Sequence, residues 1–123
     1  MINAKTKKET KVLTDQVIEG IREKKGQDVV VLDLSKIENS VCSVFVICNG
    51  TSKTQVASIA DSVHDVVKKN LKQSPWHKEG YQNSDWILLD YVDVVVHVFT
   101  DETRDFYKLE GLWADAVKTV IND

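Results

Sequence analysis

Apolar and polar positions alternate along this chain with two periods, and the switches between them mark out its elements. From Thr10 to Lys25 apolar residues fall at Leu13, Val17, Ile18 and Ile21, a helical spacing with a charged opposite face, and Gly26 stands where a helix commonly stops. "DVVVLDLSKI" then brings a β-branched run too short for a buried helix, which predicts a strand from Val29 to Leu34. "VCSVFVICNG" repeats the pattern and predicts a strand from Ser43 to Cys48, ended by the turn chemistry of Asn49-Gly50. The link between them is only about eight residues and carries no helix, so the two strands are expected to be antiparallel neighbours.

"GTSKTQVASIADSVHDVVKKNL" is the clearest helix. Val56, Ile59, Ala60, Val63, Val67 and Leu71 form one stripe, and Thr51 or Ser52 supplies the N-cap oxygen. "KQSPWHKEGYQNSD" reads as a loop around the single proline, with Trp76 to Glu79 able to form a short edge strand. "WILLDYVDVVVHVF" is far longer than a typical strand of about five or six residues, so it predicts a hairpin, Trp86 to Asp90 and Asp93 to Phe99, reversing at "DYVD". Val92 tolerates positive φ poorly, so the turn is expected to avoid placing it there. Both faces of the second hairpin strand are apolar, which predicts a central position covered on both sides or closed by a partner. Phe106, Leu109, Trp113, Ala116, Val117 and Val120 recur at helical spacing, with Gly111 a candidate break between two short helices. The order helix, strand, strand, helix, strand, strand, helix predicts an α/β fold. It is expected to be one domain over 1–123, with a mixed central sheet of four or five strands flanked by helices.

Composition narrows the function classes. With 123 residues, 42% hydrophobic and 28% charged, the chain suits one core. A net charge of −3 with interspersed signs argues against strong direct binding of a phosphate backbone. Cys42 and Cys48 match neither a zinc spacing nor a redox pair, and they read as small buried hydrophobes in a reducing, cytoplasmic compartment. "MINAKTKKETKVL" lacks the apolar core of a signal peptide, and the apolar runs fall short of a membrane span.

Three constellations could carry chemistry. Asp90, Asp93 and His97 could bind a metal or perform acid–base work, yet Asp93 and His97 on one strand would lie roughly 13 Å apart. The bland reading is a pair of turn-capping aspartates and a histidine bonded within the sheet. The Gly50-Thr51-Ser52 helix entrance could hold a phosphate, as in nucleotidyltransferases, or could simply cap the helix. No Asp-x-Asp or Asp-x-Glu follows on a predicted strand to hold two metals, so no catalytic residue, metal ligand or cofactor is assigned. His64 and His77 form no ligand cluster. The third is the aromatic inventory: Trp76, Tyr81, Trp86, Tyr91, Phe99, Phe106, Tyr107 and Trp113 crowd the hairpin and what surrounds it, interleaved with acids, as suits a protein–protein surface or a core.

Taken in order, "LDLSKI", "FVICNGTSKTQVASIADSV", "EGYQNSDWILLDYVDVVVHVF" and "TRDFYKLEGLW" resemble the ribosomal silencing factor family, RsfS or Iojap-like. The resemblance runs from Asp28 to Ala116. It implies a nucleotidyltransferase-like fold without the active site and a non-enzymatic translation repressor. Such a protein would bind the large ribosomal subunit through its protein fourteen and sterically block joining of the small subunit, notably under nutrient limitation. A homodimer is also implied. Carried over by position, the partner-binding residues are Trp86, Tyr91, Asp93 and Phe99, with Glu79, Arg104 and Tyr107 at the edge. The rings would act as anchors and the acids would meet cationic groups. Two departures stand out: the family commonly has glycine where this chain has Val92, and aspartate where it has Ser43. The alternative is a nucleotidyltransferase-like, nucleotide-binding enzyme using the Gly50-Thr51-Ser52 entrance.

Overall fold

The computed structural model describes residues 7–37 and 42–121. Residues 1–6, the middle of the link between the first two strands, 38–41, and residues 122–123 lie outside that set. Two long helices form: α1 (Lys7–Glu23) and α2 (Lys53–Leu71). Each buries the stripe its spacing predicts, Leu13, Val17 and Ile21 on α1 and Val56, Ile59, Val63 and Val67 on α2. Of the two expected N-cap candidates for α2 it is Ser52, whose hydroxyl accepts from the Gln55 N–H at 3.1 Å. Gly26 follows α1 as expected, but the left-handed position belongs to Lys25 (φ 58).

The helices lie side by side on one face of the sheet. Their contact is close because Gly20 has no side chain: a Cβ there would sit 2.7 Å from the Cα of Val63. The Ser62 hydroxyl crosses the same seam and donates to the Gly20 carbonyl at 2.7 Å.

The sheet comprises β1 (Gln27–Asp33), β2 (Val44–Gly50), β3 (His77–Glu79), β4 (Trp86–Asp90), β5 (Val94–Thr100) and β6 (Val117–Val120), in the order β3-β4-β5-β2-β1-β6. β2 and β5 are parallel and every other neighbouring pair is antiparallel, including β1 with β2 as the short link requires. β5 is central, and its residues from Val94 to Phe99 are buried. Val46, Cys48, Val94, Val96 and Val98 face α1 and α2, while Phe45, Ile47, Val95, His97 and Phe99 face the other way. Burial pushes the thiols of Cys42 and Cys48 up to about 12, so both stay protonated and unreactive at neutral pH.

Two expectations fail. The sheet has six strands rather than four or five, because the segment expected to end in helix instead forms β6 along the outer edge of β1. The helical spacing of Val117 and Val120 is fortuitous: their side chains are 58% and 56% exposed and serve no buried face. What places them is the row of free N–H and C=O groups on β1. Before β6 come only α3 (Asp101–Tyr107) and the single turn α4 (Leu109–Leu112), and the break falls at Lys108 (φ 48), not at Gly111.

The second failure is Val92, which adopts φ 78. The Asp93 N–H donates to the Tyr91 carbonyl at 3.1 Å, closing a γ-turn on Val92, and the Val92 N–H donates to the Asp90 carboxylate at 2.7 Å. The hairpin register, Asp90 opposite Val95, leaves too few residues for a turn that spares Val92.

Candidate partner-binding surface

The two faces of the sheet are covered unequally. α1 and α2 close the first. The second is covered over β5, β2 and β1 by α3, Ala116 and Trp113, whose ring meets Phe45 edge-on at 5.7 Å. Toward β4 and β3 the cover gives out, and Trp86 and Leu88 remain only partly buried. They share that face because alternate residues of a strand do. Glu79 of β3 lies opposite Leu88, and Phe99 of β5 lies opposite Trp86.

Around Trp86 the rings form a chain. Its centroid is 4.9 Å from Phe99 beneath and 4.9 Å from Tyr107 beside it, and Tyr107 stands 5.1 Å from Phe106. Exposure rises outward: Phe99 is sealed, Tyr107 is 50% exposed and Phe106 80%. At the other end of β4 the Trp76 N–H donates to the Asp90 carbonyl at 2.7 Å, and its ring is 71% exposed. The result is a partly exposed apolar strip of Trp86 and Leu88 on β4, continued at one end by the exposed rings of Tyr107 and Phe106 and edged by Glu79 and the hairpin-turn acids. Such a strip has the composition of an interface core with an acidic rim.

The expected site residues divide accordingly. Trp86 and Tyr107 come together on the strip, and Glu79 lies at its margin, paired with His77 at 2.9 Å. Asp93 sits at the opposite end of the hairpin from Trp86, half-buried, where its carbonyl accepts from the Ser43 and Val44 N–H groups at 3.0 Å each. Tyr91 and Phe99, expected as anchors, are 4% and 0% exposed and present no surface. Tyr91 packs into the core under α1 and α2, and burial raises its hydroxyl well above the ordinary phenol range.

Arg104, expected at the edge of the contact, is instead an internal clamp. Its side chain is 13% exposed, its Nε and Nη2 donate to Glu110 at 2.9 Å each, and its Nη1 donates to the Asp28 carbonyl at 2.6 Å and to Asn49 Oδ1 at 2.7 Å. Sequence reasoning missed Leu88, and it left Trp76 and Phe106 undivided between core and surface. "WILLD" is apolar on both faces of its strand, so nothing in it says that the face of Trp86 and Leu88 is the one that lacks cover.

The remaining constellations resolve as structure. Asp90 caps the turn, while His97 is buried and accepts from the Trp86 indole at 3.1 Å. At the helix entrance, the Thr51 N–H and hydroxyl both donate to the Gln55 side-chain oxygen, at 2.7 and 3.0 Å. Those donors serve the cap, and the Gln55 amide reaches on to the Lys24 and Lys25 carbonyls at 3.2 Å each. Among the described residues no three of His, Cys, Asp and Glu gather as a metal site would require, and no helix is long and apolar enough to cross a membrane.

Comparison with known proteins gives a consistent result. A family model described as "Ribosomal silencing factor during starvation" matches residues 6–123. Ribosomal silencing factor RsfS of Bacillus subtilis (strain 168) is 40% identical over 94 residues, covering 76% of this chain and 78% of that one. The mouse protein named "Mitochondrial assembly of ribosomal large subunit protein 1" is 34% identical over 104 residues, 80% of this chain but 44% of its own length. A crystal structure of a protein from Chromobacterium violaceum matches with a TM-score of 0.80 at 34% identity, covering 85% of each chain.

Proposed function

The chain belongs to the ribosomal silencing factor family, and from that premise we propose that it docks on the large ribosomal subunit through protein fourteen, holding the small subunit off by occupying space. The observation that carries the reading is the uncovered strip on β4, where Trp86 and Leu88 remain partly accessible on a sheet face otherwise sealed, flanked by Tyr107 and Phe106. Burying rings of this kind supplies affinity, and the acids at the margin, Glu79 and Asp93 among them, set approach and register against a cationic partner. No bond-making step is assigned. The mouse relative, named for large-subunit assembly, supports the choice of subunit. We read the sheet as that of a nucleotidyltransferase whose helix entrance is given over to capping. A second copy of the chain has a place at the outer edge of β6, where Val117 and Val120 are exposed. The working compartment of this reading is the cytoplasm.

The experiment is co-sedimentation of the purified protein with isolated large and small subunits, followed by light scattering of their joining. Wild type should pellet with large subunits alone and suppress joining. Trp86→Ala should weaken binding by roughly 30-fold, the loss expected of a ring at the centre of an interface, with the melting transition kept. Pelleting with neither subunit overturns the proposal.

A further inference from the structure

Trp86 is the ring at the middle of the strip, and what fixes its orientation is not the stacking around it. Its contacts with Phe99 and Tyr107, tilted by 30° and 49° at 4.9 Å, are ring-to-ring contacts that survive reversal of the indole about its own axis. The hydrogen bond from Trp86 Nε1 to His97 Nδ1, 3.1 Å long, does not survive it. His97 lies on β5 one strand over and on the same sheet face, opposite Leu88, so it reaches Trp86 diagonally.

The chemistry of the bond assigns the imidazole. An indole N–H only donates, so Nδ1 must offer a lone pair and the ring proton must sit on Nε2. That Nε2 is buried with no hydrogen-bond partner among the described residues. A buried donor without a partner costs free energy, and the other tautomer would leave the indole and the imidazole both presenting protons to each other. Phe45 stands edge-on to the imidazole at 4.6 Å and Phe99 is stacked at 6.2 Å, holding its plane. Burial keeps the ring neutral, with its pKa down at about 4.

We propose that His97 is a positioning residue for partner binding: by accepting the Trp86 indole proton at Nδ1 from inside the sheet, it fixes which edge of the indole the strip presents. The inference rests on the docking reading above, and its test separates the two. In 15N-labelled protein His97 should show the neutral Nε2–H tautomer, and the Trp86 indole proton should exchange slowly. His97→Leu removes the acceptor at similar volume, His97→Asn restores one near the Nδ1 position, and Trp86→Phe removes the donor while keeping a ring.

His97→Leu should weaken large-subunit binding about five-fold, the equivalent of one net hydrogen bond of about 1 kcal/mol, and should speed indole exchange. His97→Asn should recover both, and His97→Leu should add nothing in a Trp86→Phe background. An equal loss in that background, or unchanged binding and unchanged indole exchange in His97→Leu, overturns the proposal. Should His97→Leu fail to fold, the tautomer and the His97→Asn and Trp86→Phe variants decide it by the same criteria. If wild type does not bind subunits the docking reading falls by itself. The bond is then judged on the resonances, where an Nδ1–H tautomer or a rapidly exchanging indole overturns it.

Discussion

Val92 and His97 each carry a free-energy cost, one in its backbone and one in its burial, and each makes a measurable demand. Val92 at φ 78 carries a β-branched side chain where glycine is at ease, a strain of about 1–3 kcal/mol, partly offset because glycine loses about 0.5–1 kcal/mol more backbone entropy on folding. Val92→Gly should therefore raise stability by about 1 kcal/mol in urea titration, with the γ-turn bonds intact; a loss would mean that the packing of the half-buried valine outweighs its strain. His97 makes the opposite kind of demand. Buried among Phe45, Trp86 and Phe99, it has a pKa of about 4 against 6.5 for the free side chain. Between those values the unfolded chain binds more protons than the folded one, so stability falls as pH drops below about 6.5 and levels off below about 4. The loss at pH 5 is about 2 kcal/mol at 1.36 kcal/mol per unit. Comparison of wild type with His97→Asn at pH 7 and pH 5 isolates it from the carboxylates: wild type should lose that much more. Parallel losses would show that His97 does not titrate in this window.

At the scale of elements, what was legible in the sequence is what is buried by periodicity. α1, α2, β1, β2, β4 and β5 each carry a stripe or run that has to be hidden, and each formed close to where its pattern predicts. β6 was illegible because all four of its residues are exposed and a neighbour's backbone, not its own side chains, specifies it. The same blindness misassigned Tyr91 and Phe99: alternation separates two faces of a strand but does not say which one another element will cover. Nor does periodicity reveal how closely two helices approach, and here the seam between α1 and α2 turns on one missing methyl. Gly20→Ala would put a Cβ 2.7 Å from the Val63 Cα and 3.2 Å from the Ser62 carbonyl oxygen, and neither is a flexible side-chain tip that could give way. The helices must separate, so the substitution should cost about 1–3 kcal/mol despite alanine's better helix propensity. Gly111, whose added Cβ would meet nothing within 4 Å, is the control: Gly111→Ala should be neutral or stabilise by up to about 1 kcal/mol. Urea midpoints at constant slope measure both, and a stable Gly20→Ala protein would mean that the seam is looser than its geometry.

At the scale of the whole molecule, a polar chain centred on Arg104 ties down the cover of the second face alongside its apolar packing. Arg104 of α3 bonds the Asp28 carbonyl at the head of β1, Asn49 near the end of β2 and Glu110 of α4. Glu110 in turn meets Lys118 of β6 at 3.3 Å, and Asn49 donates to Asp101 at the start of α3. One guanidinium thus ties α3 to β1, β2 and α4, beside the boundary of the exposed strip. No periodic signal announces such a residue; its arginine was read from the sequence as a surface contact because an isolated cation gives no hint of its partners. Arg104→Lys keeps the charge but cannot span Glu110, Asn49 and the Asp28 carbonyl with a single ammonium group. It should cost about 2–3 kcal/mol, as expected when charged hydrogen bonds are broken at a site 13% exposed. The loss should also be local. Amides joining β6 to β1, the Ile121 N–H to the Val29 carbonyl among them, should exchange faster in the variant, while those of α1 and α2 change only as much as global stability dictates. Large-subunit binding should fall as well, because Tyr107 rides on α3 and loses its fixed place beside Trp86. Uniform acceleration of exchange across both faces would show that Arg104 merely adds to overall stability, and unaltered exchange at β6 would show that the strand is held by its edge pairing alone.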